Sequence, residues 1–260
     1  MIGAIVGDII GSPYEFNNIH TKDFPLFSHA SRATDDTILT IALADCIMNQ
    51  KDWIDTLHEY HERYSNCGFG GMFNNWCNEK QRKPYYSCGN GSAMRVSPIS
   101  WLYDSYDIVD VARKSAKVTH DHIEGIKGAE AIAVAISLAI KGWYKLDIFE
   151  LIQDMYYPNI PKLNEIRSIY DNYMKNDRYL LYTCQGSVPM ALRCFLSGKN
   201  FEDVIRIAVS IGGDSDTIAC MAGSIAEAYH GIPKFIENKA LEHLDDHLLS
   251  IVHQFKKEIS

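Results

Sequence analysis

The sequence predicts an all-α protein, one compact domain of orthogonally packed helices spanning residues 1–260. Three observations predict it. Apolar residues recur at helical spacing along most of the chain. No run of alternating apolar and polar residues is bounded by hairpin turns. No Pro/Gly/Ser-rich linker or internal repeat divides the chain. With 260 residues, 47% of them hydrophobic and 22% charged, the chain can bury a substantial core.

The first helix begins at the N-terminus. Gly3, Gly7 and Gly11 recur every four residues and form a smooth stripe that lets another backbone approach closely. Gly11-Ser12-Pro13 ends it. The segment is apolar, but Asp8 interrupts it and no basic stretch precedes it. It reads as neither a signal peptide nor a membrane span, and no other stretch is apolar and long enough to cross a membrane. Residues 36–50 predict a helix with Ile38, Leu39, Ile41, Ala42 and Leu43 inward. Residues 52–65 predict a second, with Trp53, Ile54, Leu57, Tyr60, His61 and Tyr64 on one side. The Gly/Asn/Cys-rich residues 66–92 predict a short helix plus loop. Helices follow over 107–118, 122–141, 147–156, 163–174, 187–197, 201–210, 215–230 and 245–258. Residues 204–211 alone resemble a strand, and they fit a helix equally well.

The formal net charge is −8. An acidic chain lacks the basic face that general nucleic-acid binding needs. It can still take an anionic small molecule, because a bound cation reverses the local sign. The seven cysteines (Cys46, Cys67, Cys77, Cys88, Cys184, Cys194 and Cys220) are odd in number and form no CxxC. Their spacings are too wide for a zinc cluster, so reduced thiols in a cytoplasmic protein are expected.

Two Asp-Thr motifs stand at helix starts. Thr34-Asp35-Asp36-Thr37 precedes the 36–50 helix, where Thr34 suits an N-cap and the acids suit the helix dipole. Gly212-Gly213-Asp214-Ser215-Asp216-Thr217 precedes an apolar helix. Capping explains one of its acids but not two with a Thr after a glycine pair. Together the motifs offer hard oxygen ligands suited to Mg²⁺, Ca²⁺ or Mn²⁺. An EF-hand is excluded because Ala219 and Ile225 stand where its Gly and Glu belong. A phosphatase-type Asp-x-Asp-x-Thr is disfavoured because Thr217 falls three residues after Asp214 rather than four.

Three further elements could carry chemistry. Glu15, in Gly11-Ser12-Pro13-Tyr14-Glu15-Phe16, sits among apolar and aromatic neighbours that would raise a carboxyl pKa; the plain alternative is an exposed loop acid. Gly89-Asn90-Gly91-Ser92-Ala93-Met94-Arg95 is a glycine turn feeding a helix, able to present backbone N–H groups to an anion. Thr119-His120-Asp121-His122 could bind metal or cap the helix near Ile123. His58-Glu59-Tyr60-His61 is not HExxH and reads as a helix face.

In this order the elements resemble the ADP-ribosylglycohydrolase family. The matching pieces are Gly3 to Asp8 with Gly11 to Phe16, then Thr34 to Thr37, Gly89 to Arg95, Thr119-His120 and Gly212 to Thr217. The resemblance implies an all-α fold with a binuclear metal cleft holding two divalent cations, Mg²⁺ or Mn²⁺. It implies Thr34, Asp35, Asp36, Asp214, Asp216 and Thr217 as metal ligands, and Glu15 or Asp36 as the catalytic carboxylate. It implies Gly89, Asn90, Gly91, Ser92, His120 and Ser215 as substrate-binding residues. The implied activity is metal-dependent hydrolysis of the bond between ADP-ribose and a modified side chain, with ADP-ribose or an ADP-ribosylated protein as partner. A cytoplasmic monomer is expected, with no membrane and no general nucleic-acid partner. The alternatives are an ADP-ribose-binding member without turnover, and a Mg²⁺-dependent phosphohydrolase.

Overall fold

A computed structural model describes residues 1–103 and 106–260. Among these residues the chain forms fifteen α-helical segments and no strand, apart from an isolated bridge between Gly89 and Thr183. In chain order the helices are α1 (Ile2–Gly11), α2 (Asp35–Met48), α3 (Trp53–Arg63), α4 (Gly71–Asn78), α5 (Gly91–Met94), α6 (Ser97–Leu102), α7 (Ile108–Lys117) and α8 (Ile123–Ile140). They continue as α9 (Lys145–Met155), α10 (Leu163–Asn176), α11 (Cys184–Ser197), α12 (Phe201–Ser210), α13 (Ser215–His230), α14 (Lys234–Leu241) and α15 (Asp246–Glu258). Their buried apolar side chains form one continuous cluster.

Helices α1 and α13 sit at its centre. All ten residues of α1 are buried, and so is every residue of α13 from Ser215 to Ala226. A helix apolar on all sides belongs inside other helices. The two run antiparallel with backbones in contact. A Cβ on Gly3 would lie 2.2 Å from the Gly223 carbonyl oxygen, one on Gly7 2.1 Å from that of Ala219, and one on Gly11 2.5 Å from Asp216 Cα. The glycine stripe is therefore the contact surface itself. Glu227, near the end of α13, accepts from the Met1 ammonium at 2.7 Å and the Gly3 amide at 2.8 Å, a carboxylate at the positive end of α1. Helices α8, α11 and α12 pack around α13, while α3, α6 and α15 pack on α2.

The expected helices are present with ends shifted by a few residues. Helix α11 begins at Cys184, three residues before the expected start, because the Thr183 hydroxyl caps it by accepting from the Gly186 amide. Residues 204–211 are helical up to Ser210, in α12, whose apolar residues all face inward. Helices α6 and α14, short and set between turns, were not expected from periodicity. Of the histidines, His61 Nε2 pairs with Asn74 Oδ1 at 2.8 Å on a helix face, and His122 Nδ1 caps α8 by accepting from the Glu124 amide. All seven cysteines are free.

Gly7→Ala drives a methyl group into the α13 backbone, where no side chain can yield. It is expected to cost about 3 kcal/mol or more, measured by urea unfolding with an unchanged m-value. A loss below about 1 kcal/mol would show that the helices slide apart freely.

Candidate metal centre and anion-binding cleft

The α1–α13 contact carries one carboxylate from each helix into the interior. Asp8, on α1, is fully buried. Its Oδ2 accepts from the Thr34 and Thr37 amides at 2.9 and 3.0 Å, and its Oδ1 accepts from the Thr34 hydroxyl at 2.6 Å. Asp8 thus grips the start of α2, and Thr34 is its N-cap, as the sequence predicts. This turn holds Asp36 inward. Asp36 Oδ2 accepts from the Thr217 hydroxyl at 3.1 Å, while its Oδ1 is buried without any hydrogen-bond partner.

The second motif is set by its glycine pair. Gly212 and Gly213 have φ of +78° and +76°, a region that β-carbon sterics close to most other residues. Asn18 clamps this turn: its Nδ2 donates to the Gly213 carbonyl at 3.0 Å and its Oδ1 accepts from the Gly213 amide at 2.9 Å. The same Nδ2 donates to the Tyr14 carbonyl at 2.7 Å, so the segment bearing Glu15 is tied to the segment bearing Asp214.

Two carboxylate triads result. Oxygens of Asp8, Asp36 and Asp216 lie within 4.8 Å of one another, and so do those of Glu15, Asp214 and Asp216. Asp216 belongs to both. At 4.8 Å each fully charged pair costs about 3.5 kcal/mol at an effective dielectric near 20. Whole folds are stable by only about 5–15 kcal/mol, so protons or cations must neutralise the cluster. Without cations the acids hold protons. Burial, then the charge of Asp216 and a hydrogen bond to it, push Glu15 up to about 8. Burial raises Asp214 to about 7 against the Asn90 amide, which donates to it at 2.6 Å. Burial, then neighbouring carboxylates, raise Asp35, Asp36 and Asp216 as well, and burial raises Asp8 against its hydrogen bonds from Thr34 and Thr37. The donor set fits a hard divalent cation: all oxygen, no thiol or imidazole in either triad, and one orphaned carboxylate oxygen on Asp36.

The triads open on a cavity of about 410 Å³ lined by Glu15, Asp35, Asp36, Asp214, Asp216 and Thr217, and by Gly89, Asn90, Gly91 and His120. The glycine turn is pinned by its own amides. Gly89 donates to Ser87 Oγ at 3.0 Å and Asn90 to the Tyr182 carbonyl at 3.0 Å. The Gly91 and Ser92 amides, at the start of α5, donate to nothing among the described residues. A Cβ on Gly91 would lie 3.1 Å from His120 Nε2. Three of the expected residues stand apart from the cavity wall. Ser92 Oγ donates to the Gly125 carbonyl at 2.7 Å. Ser215 is fully buried with an unpartnered hydroxyl. Thr34 is committed to Asp8.

Sequence reasoning missed Asp8 in this role. Its signal was a lone acid on a helix otherwise apolar on every side.

The sequence matches the family model described as ADP-ribosylglycohydrolase over residues 1–260. The chain belongs to the ADP-ribosylglycohydrolase family. Among its relatives, mouse ADP-ribosylhydrolase ARH3 is 28% identical, with 92% of this chain and 84% of that protein aligned. The human protein of the same name is 27% identical over 92% and 86%. The ADP-ribosylarginine hydrolase Tri1 of Pseudomonas putida is 23% identical over 92% and 73%. A solved structure titled ADP-ribosylglycohydrolase-related protein complex superposes with a TM-score of 0.71 at 22% identity, covering 100% of this chain and 97% of that one, which shows the shared all-α fold.

Cation binding should displace the protons these acids retain. The raised carboxyls stabilise the metal-free fold below their unfolded values, near 4.5 for Glu15, and that contribution is lost as pH rises through about 8. A bound cation removes the loss. The rise in Tm on adding Mg²⁺ or Mn²⁺ to EDTA-treated protein should therefore grow between pH 5 and 8. A shift that shrinks over that range would contradict the electrostatics.

Proposed function

We propose that this protein is a metal-dependent ADP-ribosyl hydrolase. It cleaves the glycosidic bond between the anomeric carbon of ADP-ribose and a modified side chain or related acceptor. The observation that carries the reading is the pair of carboxylate triads sharing Asp216, in a cleft that also holds a glycine turn and a buried histidine. Family membership and the activities for which the relatives are named support it.

Asp35, Asp36, Asp214 and Asp216, with Thr217, are the residues proposed to hold two divalent cations, Mg²⁺ or Mn²⁺; Thr34, its hydroxyl spent on Asp8 away from the cleft wall, is better suited to orient them. Asp8 is better suited to orient them, since its two oxygens already accept three hydrogen bonds. When bound, the cations would supply positive charge for the ribose hydroxyls and offset the carboxylates. The remaining work falls to the chain. Glu15 is partly exposed at the cleft and can exchange its proton with solvent, so it suits general acid–base work at the anomeric carbon. Asp36 is buried and tied to Thr217, which suits a ligand better than a proton shuttle. The Gly91 and Ser92 amides and His120 face the anionic diphosphate. The transition state has oxocarbenium character, which nearby carboxylates stabilise.

ADP-ribosylated arginine and serine peptides test the reading. ADP-ribose should be released from at least one, release should stop with EDTA, and Mg²⁺ or Mn²⁺ should restore it. Glu15→Gln should lower kcat on the order of 10²- to 10⁴-fold while ADP-ribose still binds. No release from either peptide at any metal would remove the hydrolase reading for those linkages. Binding without release would point to a binding-only member.

A further inference from the structure

Arg95 is an unusual buried cation. Its side chain is 1% exposed and no carboxylate lies within 4 Å of it among the described residues. Buried guanidinium groups ordinarily pair with an acid, because the desolvation cost is several kcal/mol. Instead, Arg95 Nη2 donates to the Ser115 carbonyl at 3.0 Å and to the Thr119 hydroxyl at 2.8 Å. Burial brings its pKa down to about 10, which leaves it charged at neutral pH.

Thr119 is fully buried, and its Oγ1 lies 2.7 Å from His120 Nδ1. A hydroxyl has one proton and two lone pairs, and a guanidinium can only donate. Thr119 therefore accepts from Arg95. Its own proton then points to His120 Nδ1, the one other polar atom that pairs with this hydroxyl among the described residues. This puts the imidazole proton on Nε2, which faces the Gly89–Gly91 turn in the cleft.

We propose that Arg95 and Thr119 are positioning residues that fix His120 as a neutral imidazole with its Nε2–H turned into the cleft, toward the anionic arm of the ligand. The relay solves a problem the acidic chain creates. A charged imidazolium would be drawn to the carboxylate triads nearby. A neutral ring backed by a fixed guanidinium donates a polarised hydrogen bond to an anion and holds that anion away from the acids. Burial and the Arg95 charge lower the His120 pKa, in keeping with a neutral ring. The Arg95–Thr119–His120 geometry stands without any ligand; the identity of the anion as a diphosphate rests on the hydrolase reading above.

Nitrogen-15 spectra of the histidine rings in metal-free protein at neutral pH read the tautomer directly. His120 should carry its proton on Nε2 and an unprotonated Nδ1. Thr119→Val keeps the side-chain shape and removes the hydroxyl. It should erode that tautomer and weaken ADP-ribose binding about tenfold, the scale of one lost hydrogen bond to a charged group, raising KM with kcat little changed. Thr119→Ser should restore both. A wild-type His120 protonated on Nδ1 overturns the relay, and so does a folded Thr119→Val protein with unchanged tautomer and affinity. The wild-type spectrum decides the tautomer even if the variant fails to fold. The expected spectrum in a protein that binds no ADP-ribose would overturn the functional reading and leave the relay standing.

Discussion

The α1–α13 backbone contact is the constraint on which the site depends. Gly3, Gly7 and Gly11 bring the two helices closer than any side chain would permit. Their approach places Asp8 of α1 and Asp216 of α13 within 4.8 Å, deep in an apolar core. Each helix alone would bury an uncompensated acid. Packed together, they create a cluster that attracts a compensating charge.

That arrangement ties stability to chemistry. The core supplies the low dielectric that raises the carboxyl pKa values, and the same low dielectric strengthens any cation they hold. The hydrogen bonds around the site are directional rather than redundant. Asp8 holds the start of α2, Thr217 holds Asp36, Asn90 holds Asp214, and Asn18 clamps the Glu15 segment to the Gly212–Gly213 turn. Each leaves its partner acid one face toward the others. At the glycine turn the polarity reverses, with unspent amides, a buried guanidinium and a histidine. One cleft thus sets a cluster of acids beside a region of hydrogen-bond donors.

Much of this was legible in the amino-acid order. The glycine stripe announced a close helix contact, and the two Asp-Thr motifs announced oxygen ligands at helix starts. The glycine pair before Asp214 was visible, and the structure shows it turning at positive φ. Other features could not be read. Asp8 looked like an interruption in an apolar segment, because sequence does not show that its carboxylate caps a helix 26 residues away. Arg95 followed Met94 like any polar residue after an apolar one, and its burial without an acid appears only in three dimensions. The turn at 89–92 read as a set of free amides, yet two of them are spent on Ser87 and Tyr182. Ser92 and Ser215 sit in register with the motifs but turn into the core, since a residue's neighbours in sequence do not fix the direction of its side chain.

Asp216, common to both triads, is the most distinctive feature of the centre. Electron paramagnetic resonance of metal-free protein titrated with Mn²⁺ tests it most directly. Two sites sharing a carboxylate should bind two Mn²⁺ per chain and give an exchange-coupled spectrum, lost in Asp216→Asn. A single isolated Mn²⁺ signal, or two signals without coupling, would contradict a shared binuclear centre.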